Sequence, residues 1–282
     1  MDGRRRVPVG DVELCVQDFG DPADPTLLLV SGAAASMDWW DTALCERLAD
    51  GGRHVVRYDH RDTGASTTVE PGKPAYGGWQ LAHDCAGLVE ALDAGPVHLV
   101  GLSMGGGIAQ LVAERRPELV AGLTLMSTSP AGGVDAHLPG PTAALSAWFA
   151  QPPPEPDWAD VTSYVDWVVA GQRAHAGTLP FDEPRIRQIA ATVHARSIDP
   201  AAAGNHWLMS DGDEPPLDVR RITAPTLVVH GADDPLFPLP HGEALAVAIP
   251  GAGLLVLPGV GHEVPPPATW DVLVPALLEH TA

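Results

Sequence analysis

The sequence predicts an α/β fold, in which a mostly parallel central sheet is flanked by helices and carries an inserted helical cap. Two observations support this prediction. Short apolar runs of strand length alternate with longer amphipathic runs of helix length along most of the chain. The alternation stops near residue 130 and resumes near residue 224, which indicates an insertion within one sheet domain.

Each segment before the interruption has a pattern that predicts its structure. Continuous apolar runs are typical of buried parallel strands, and helices commonly end at glycine or before proline. In chain order the predicted elements are the strands VELCVQDF and TLLLVSG, the helix MDWWDTALCERLADGG, the strand HVVRYD, the helix WQLAHDCAGLVEALDAG, the strand VHLVGLS, the helix MGGGIAQLVAERRP and the strand VAGLTLMS. Repeated strand–helix–strand units imply right-handed crossovers, which place helices on both faces of the sheet.

The interruption has a different composition. SPAGGVDAHLPGP is typical of a loop, and the proline-rich QPPPEPDW would not fit the interior of a sheet. Residues 140–215 then predict several helical pieces with scattered aromatic residues. The alternation resumes with the strand APTLVVHG, the helix HGEALAVAIPG, the strand GLLVLPG and the helix TWDVLVPALLEH. We therefore expect a core formed by residues 1–129 and 221–282, and a helical cap, or lid, over residues 130–220.

Composition excludes several classes of protein. The chain has 282 residues and is 45% apolar, which is enough for a sizeable core. No apolar run approaches the ~20 residues of a membrane span, and the start, MDGRRRVPVG, lacks the apolar stretch of a signal peptide. We expect Arg4–Arg6 to lie in a frayed terminus. The formal net charge of −20 argues against nucleic-acid and anionic-membrane partners, because phosphate binding needs clustered cations.

Cysteine usage indicates a reducing compartment. Cys15, Cys45 and Cys85 are an odd, widely spaced set without a CxxC pair. We therefore expect neither a disulfide framework nor a zinc site. Instead, we expect buried thiols in the reducing cytoplasm. Because no other cluster has metal-ligand spacing, we expect neither a metal nor a cofactor.

The segment VHLVGLSMGG places Ser103 between Gly101 and Gly105, where a predicted strand passes into a predicted helix. This is the G-x-S-x-G pattern of a nucleophile elbow, in which small neighbours allow a sharp turn. The helix N-terminus directs free N–H groups above the serine, so the N–H of Met104 is a candidate oxyanion donor. The pattern alone does not exclude an ordinary turn. A phosphate loop is excluded because no Gly-Lys-Ser/Thr follows, and a dinucleotide loop because Gln110 replaces its third glycine.

A serine nucleophile needs a base, and the base needs an orienting acid. In an open α/β sheet with a nucleophile elbow, the chain order is serine, acid, histidine. VVHGADDPLFP places Asp233 and Asp234 after one strand, and LLVLPGVGHEVP places His262 after the next. These positions share the carboxyl edge of the sheet with Ser103. We favour Asp234, which precedes Pro235, as the orienting acid, whereas Asp233 is expected to be solvated or to cap the turn.

Two further expectations concern neighbouring loops. The second oxyanion donor should come from the loop after TLLLVSG, where Ala33 follows Gly32, although GAAAS is also compatible with a plain turn. His60 lies on the same edge but precedes the serine, so we expect it to pack a loop. His230 is expected to be buried.

These residues carry a resemblance. The chain resembles the α/β-hydrolases and, within them, the aclacinomycin methylesterases, which hydrolyse anthracycline methyl esters. The resemblance covers residues 7–127 and 222–280. It is carried by VPVGDVELCVQDFGDPADPTLLLVSG, WWDTALCERLADGGRHVVRYDHRDTGASTT, VHLVGLSMG, APTLVVHGADDPLFPLPHG and LPGVGHEVP.

The resemblance implies an α/β-hydrolase fold with Ser103, Asp234 and His262 as the catalytic triad. It also implies that Ala33 and Met104 form the oxyanion hole, and that Gly32 and Trp40 bind substrate. Two departures from the family pattern are evident. The family has glycine where this chain has Ala33, which brings a Cβ near the pocket, and the cap matches poorly.

We therefore expect a serine hydrolase that cleaves carboxylic esters through an acyl-enzyme, with a methyl ester of an aromatic polyketide as the implied substrate. A general small-ester carboxylesterase or a cofactor-free haloperoxidase or perhydrolase remains an alternative, since these enzymes share the triad. A hydrolase-fold ligand-binding protein is a more distant alternative. Dehalogenases and epoxide hydrolases are disfavoured because they use a carboxylate where this chain has Ser103. The expected partner is a small-molecule ester, and the expected state is a monomer or homodimer.

Overall fold

The computed structural model of the protein describes residues 3–134, 137–210 and 215–282. Its centre is an eight-stranded sheet. The strands are β1 (Arg4–Val9), β2 (Val12–Phe19), β3 (Thr26–Val30), β4 (His54–Tyr58), β5 (Val97–Leu102), β6 (Val120–Met126), β7 (Thr226–Gly231) and β8 (Gly253–Leu257). They lie in the order β1-β2-β4-β3-β5-β6-β7-β8, and all neighbours are parallel except β1 with β2 and β2 with β4. The predicted mostly parallel sheet is confirmed.

Helices connect the parallel strands. They are α1 (Thr42–Asp50), α2 (Gly78–Leu92), α3 (Met104–Arg115), α4 (Ala143–Ala150), α5 (Val161–His175), α6 (Glu183–Arg196), α7 (Pro240–Ala248) and α8 (Trp270–His280). Shorter 3₁₀ segments include Met37–Trp39 and Pro200–Trp207. Among the helices of the described residues, none is both long and apolar enough to cross a membrane.

The sheet has an apolar core on each face, because successive strand residues point to opposite sides. Along β3, Leu28 and Val30 belong to the core that packs against α2, α3 and α7. Leu27 and Leu29 belong to the core that packs against α1 and α8. All four side chains are fully buried. This two-sided burial explains why the strands are continuous apolar runs.

The expectation of a frayed N-terminus is wrong. Residues Arg4–Val9 form an edge strand that pairs with β2 in antiparallel register. Val7 and Val9 are buried, so the apolar residues that follow the arginines anchor the strand. The charged side chains remain at the surface, where Arg5 hydrogen-bonds Asp18 at 2.9 Å. An exposed charged edge of this kind resists pairing with another sheet.

The predicted helix MDWWDTALCERLADGG is also divided. Met37–Trp39 forms a separate 3₁₀ turn, and α1 begins only at Thr42. Its end at Gly51 agrees with the expectation that glycine stops this helix.

Between β6 and β7 the chain forms α4, α5, α6 and the 3₁₀ segment Pro200–Trp207. Helices α5 and α6 share an apolar cluster of their own, which includes Val165, Val168, Ile186 and Ile189. We call this region the cap. Its boundaries at 130 and 220 stay a prediction, and residues 135 and 136 of the predicted loop lie outside the described residues.

Two arginines of α6 attach the cap to the core. The guanidinium of Arg196 is 8% exposed and donates to Asp38 at 2.8 Å and to Asp59 at 2.7 Å. Asp59 also accepts the backbone N–H of Met37 at 2.9 Å. Arg185 pairs with Asp41, just before α1. The cap therefore contacts the chain segment that follows β3.

Candidate active site

Ser103 lies at a sharp turn between β5 and α3. Its φ of 53° and ψ of −118° form a conformation that residues other than glycine rarely adopt. The two flanking glycines permit this turn. A Cβ on Gly101 would lie 2.3 Å from the carbonyl oxygen of Gly105, and a Cβ on Gly105 would lie 2.2 Å from that of Val30. Close backbone contacts therefore require both glycines of the motif.

Backbone hydrogen bonds hold this turn in place. The N–H of Ser103 donates to the carbonyl of Met126 at 2.9 Å. The carbonyl of Ser103 accepts the hydroxyl of Thr128 at 2.8 Å and the N–H groups of Gly106 and Gly107 at 2.9 and 3.1 Å. The backbone groups of the serine are thus satisfied, and its hydroxyl is left to the neighbouring loops.

His262 is hydrogen-bonded to Ser103 through one ring nitrogen and to Asp234 through the other. Nε2 of His262 lies 2.9 Å from Oγ of Ser103, and Nδ1 lies 2.9 Å from Oδ2 of Asp234. When Nδ1–H donates to the carboxylate, Nε2 carries the lone pair that accepts the serine proton. The imidazole can then act as a general base, while the carboxylate orients it and stabilises its charged form.

The loop after β7 gives the two adjacent acids different positions. Asp234 is 2% exposed, and its Oδ1 accepts the N–H groups of Leu236 and Phe237 at 2.9 and 2.8 Å. This leaves Oδ2 facing His262. Asp233 instead accepts a hydrogen bond from the hydroxyl of Thr178 in the cap. The structure therefore brings Asp234, and not Asp233, to the histidine.

The expected oxyanion donors flank the serine. Met104 is the first residue of α3, and Ala33 follows Gly32 in the loop after β3. A Cβ built on Gly32 would lie 3.5 Å from the Cβ of Ser103, so this loop runs beside the serine side chain. Over the described ranges, the N–H groups of Ala33 and Met104 have no acceptor. Both are available to an anion, although their assignment as donors stays a prediction.

The cap holds the loop that carries His262. The N–H of His262 donates to the carbonyl of His175, the last residue of α5, at 2.8 Å. The N–H of Leu179 donates to the carbonyl of Gly259 at 3.0 Å. A Cβ on Gly177 would lie 2.2 Å from that same carbonyl oxygen. The position of the histidine thus depends on close backbone packing between cap and core.

Aromatic rings lie near His262, one in the loop after β7 and the others in the cap. The ring of Phe237 lies edge-to-face at 5.5 Å from the imidazole, and the ring of His175 lies at 6.0 Å. Trp148 and Phe149 of α4 lie 6.0 and 5.9 Å from the His175 ring. Burial lowers the pKa of His175, so its ring is uncharged at neutral pH. Flat, uncharged groups therefore border the reactive centre.

Trp40 is enclosed in the apolar core. It is 1% exposed and packs in the core beside Leu44 and Leu48. The 3₁₀ turn Met37–Trp39 directs the chain inward, so Trp40 offers no accessible surface to a ligand. The preceding residue, Trp39, is partly buried and packs against both this core and the apolar cluster of the cap. A substrate-binding role for Trp40 stays a prediction, and the burial of its side chain does not support it.

Two other histidines support loops of the site. His60 is 1% exposed, and its Nε2–H donates to the carbonyl of Ser31 at 3.0 Å. Burial lowers the pKa of His60 to about 3, which keeps the ring neutral. His230 is fully buried and donates through Nε2–H to the carbonyl of Phe237 at 2.7 Å. Both histidines lie in the interior, in the loop-packing and buried positions expected for them.

Several residues beside the site carried no sequence signal. His175 and His206 lie in the cap, where no sequence motif marks either residue. Phe237 lies in a turn that the sequence did single out, because its N–H donates to the carboxylate of Asp234. Its contact with His262 nevertheless depends on how the loops after β7 and β8 meet.

Two cavities lie away from this site. One of about 420 Å³ opens at the amino edge of the sheet and is lined by His98 and His280 among others. The second, of about 270 Å³, lies between α2 and α3 and is lined by Trp79 and Arg115. Neither is lined by a residue of the candidate site. Across the described part of the chain, no group of three or more His, Cys, Asp or Glu side chains is arranged to hold a metal.

Comparison with known proteins agrees with this geometry. The family model described as alpha/beta hydrolase fold matches residues 25–266. Rhodomycin D methylesterase of Streptomyces sp. strain C5 is 32% identical over 98% of this chain and 97% of its own. The protein of the same name from Streptomyces peucetius is 31% identical with the same coverage. The crystal structure of a hydrolase from Pseudomonas aeruginosa superposes with a TM-score of 0.71 and 26% identity, covering 98% of this chain and 97% of that one.

Proposed function

The chain belongs to the alpha/beta hydrolase fold family, and we propose that it is a serine esterase. The observation that carries this proposal is the hydroxyl of Ser103 at 2.9 Å from His262, with Asp234 at 2.9 Å on the other side of the ring. A hydroxyl that contacts an imidazole held by a buried carboxylate is the arrangement needed for nucleophilic acyl transfer.

The first half of the reaction forms an acyl-enzyme. His262 takes the proton of Ser103 on Nε2 as the serine oxygen attacks the ester carbonyl carbon. The carbonyl oxygen becomes an oxyanion, which the N–H groups of Ala33 and Met104 stabilise. When the tetrahedral intermediate collapses, His262 donates its proton to the departing alcohol oxygen. The carboxylate of Asp234 compensates the positive charge of the imidazolium.

The second half restores the enzyme. Water enters where the alcohol left, and His262 takes its proton as the water oxygen attacks the acyl carbon. A second oxyanion forms at the same two N–H groups. Its collapse returns the proton to Ser103 and releases the carboxylic acid. The Met104 N–H acts in both halves from the N-terminus of α3, where the helix dipole favours negative charge.

The substrate we propose is a methyl ester on an anthracycline-like aromatic polyketide. Two relatives that match nearly the whole chain are rhodomycin D methylesterases. The rings of Phe237, His175, Trp148 and Phe149 support this choice, because aromatic side chains stack favourably on flat, apolar ring systems. A small alcohol such as methanol can leave beside His262 while the ring system remains against the cap.

Mass spectrometry tests this proposal. The purified protein is incubated with an anthracycline that carries a carbomethoxy group, and Ser103→Ala serves as the control. We expect the wild-type protein to convert the methyl ester to the acid, and the variant to leave it unchanged. If the ester stays intact while p-nitrophenyl acetate is cleaved, the polyketide assignment is wrong and a general carboxylesterase is favoured. If neither ester is cleaved by the folded protein, the esterase proposal itself is wrong.

The expected setting follows from the same features. A small-molecule ester is the proposed partner, and the state, monomer or homodimer, stays a prediction. Cys15, Cys45 and Cys85 are buried and unpaired, and burial raises the pKa of the Cys45 and Cys85 thiols to about 12. Unpaired thiols support the proposal of a reducing compartment such as the cytoplasm.

A further inference from the structure

His206, in the cap, is hydrogen-bonded to the loop that carries Ala33. Its Nδ1 accepts the backbone N–H of Ala34 at 3.0 Å, and its Nε2–H donates to the carbonyl of Arg61 at 2.9 Å. The residue is 5% exposed and lies in the 3₁₀ segment Pro200–Trp207. One cap side chain therefore joins the loop after β3 to the loop after β4.

The loop that His206 contacts has an unusual backbone. Ala34 has a φ of 56°, a left-handed conformation that alanine adopts only when its surroundings impose it. The N–H of Ala35 closes a turn onto the carbonyl of Gly32 at 3.3 Å. The hydrogen bond from Ala34 N–H to His206 fixes the peptide plane between residues 33 and 34. Because consecutive peptide planes share one Cα atom, this restricts the direction of the Ala33 N–H.

The other side of the loop is held from the core. His60 donates to the carbonyl of Ser31, immediately before Gly32. Its ring lies 5.9 Å from the ring of His206. Burial lowers the pKa of both rings, which leaves Nδ1 of His206 unprotonated and able to accept a hydrogen bond. The two histidines thus clamp the peptide units on either side of Gly32 and Ala33.

We propose that His206 is a positioning residue that aims the Ala33 N–H at the oxyanion, so that the docked cap completes the oxyanion hole. This inference rests on the proposed esterase function. It predicts that loss of the Nδ1 contact lowers kcat, because an oxyanion donor acts on the transition state more than on the bound substrate. Loss of the Nε2 contact alone should have a much smaller effect.

A pair of substitutions separates the two contacts. In His206→Asn the amide oxygen lies near the former Nδ1 and can accept from Ala34, but the bond to Arg61 is lost. In His206→Gln the amide lies near the former Nε2 and can donate to Arg61, but the acceptor for Ala34 is lost. With p-nitrophenyl acetate we expect kcat to fall about tenfold or more in the Gln variant, with KM changed less than about threefold. The Asn variant should stay within about threefold of wild type in both constants.

Asn205→Ala is the matched control. Asn205 lies in the same segment and is fully buried, but it contacts Asp62 at 2.9 Å and the N–H of Gly72 at 2.7 Å rather than the Ala34 loop. Its loss should lower the melting temperature while kcat stays within about threefold. Hydrogen exchange of the peptide that contains Ala34 gives a readout independent of activity. Exchange should accelerate in the Gln variant and remain near wild type in the Asn variant.

Two results would overturn the inference. One is a Gln variant with wild-type kcat and wild-type exchange at Ala34. The other is an equal loss of kcat in the Gln, Asn and Asn205→Ala variants, which would mean that cap stability alone governs activity. If the wild-type protein cleaves no ester, the proposed function fails. The exchange measurement then still decides whether His206 holds this loop.

Discussion

Ser103 and His262 are 159 positions apart in the chain, yet their Oγ and Nε2 atoms lie 2.9 Å apart. The sheet accounts for this contact, because β5 and β8 both end at the carboxyl edge and the loops that follow them meet above it. The carbonyl of His175 then fixes the backbone of His262 from the cap. The contact therefore depends on both the sheet order and the docking of the cap.

The two adjacent acids provide a matched test of the orienting carboxylate. In Asp234→Asn, the amide no longer compensates a charged imidazole and no longer selects the Nδ1–H tautomer. We expect kcat to fall on the order of 10³- to 10⁴-fold with little change in KM. Asp233→Asn, whose amide oxygen can still accept from Thr178, should stay within about threefold. Ester hydrolysis kinetics measure both, and equal losses in the two variants would contradict the assignment.

Alanine substitutions at Gly101 in the elbow and at Gly107 in α3 should have opposite effects on the free energy of unfolding. Gly101→Ala places a Cβ 2.3 Å from the Gly105 carbonyl oxygen, so the turn must distort. We expect the free energy of unfolding to fall by about 3 kcal/mol or more. In Gly107→Ala, within α3, the added Cβ has no neighbour within 4 Å. This substitution should raise the free energy of unfolding by up to about 1 kcal/mol. Urea unfolding compares them, and a neutral Gly101→Ala would show that the turn tolerates a side chain.

Buried neutral histidines predict acid sensitivity. Burial lowers the pKa of His98 to about 3, whereas an unfolded histidine titrates near 6.5. The unfolded state therefore binds the proton first as pH falls, and stability present above about pH 6.5 is lost progressively below it. His98 should contribute a loss of about 2 kcal/mol between about pH 7 and pH 5.

Variants at two histidines check this prediction. His98→Gln should flatten the pH dependence of the free energy of unfolding over that interval. His83→Gln, at an exposed position on α2, should leave it unchanged. Equal slopes for His98→Gln and wild type would mean that His98 titrates alike in the folded and unfolded chain.

Arg196 and Arg187, both on α6, distinguish a buried cap contact from an exposed one. Arg196→Met leaves the buried carboxylates of Asp38 and Asp59 without this partner, and we expect a loss of about 3 to 5 kcal/mol in the free energy of unfolding. Arg187 is exposed and pairs with Asp166 at 2.8 Å, so Arg187→Met should leave the free energy of unfolding nearly unchanged. Similar losses in urea unfolding would show that Arg196 does not anchor the cap.

The sequence predicts much of this site because the reactive side chains lie just after strands that are easy to recognise. Ser103, Asp234 and His262 each follow an apolar strand, and their order in the chain matches a known pattern. Trp40 and Arg4–Arg6 were harder to place. Whether Trp40 faces the core or the pocket depends on the single 3₁₀ turn that precedes it. The first strand forms because Val7 and Val9 are buried, and not because of its charged residues.

The cap was the least predictable part. Its helical pieces follow from composition, and the rings of Trp158 and Trp167 pack within it at a centroid separation of 5.6 Å. The hydrogen bonds of His206 span 145 and 172 positions, and those of Arg196 span 137 and 158. No sequence motif marks either residue. Such contacts depend on how the cap docks, which no local pattern encodes.

The residue that a fluorophosphonate labels would identify the nucleophile, because this reagent reacts with serines that a nearby base activates. We predict one adduct per chain, on the peptide that contains Ser103, and labelling slowed by at least about 10³-fold in His262→Ala. Ser103→Ala should show no adduct. A label on another residue, or none on the folded wild-type protein, would contradict the central claim that Ser103 is an activated nucleophile.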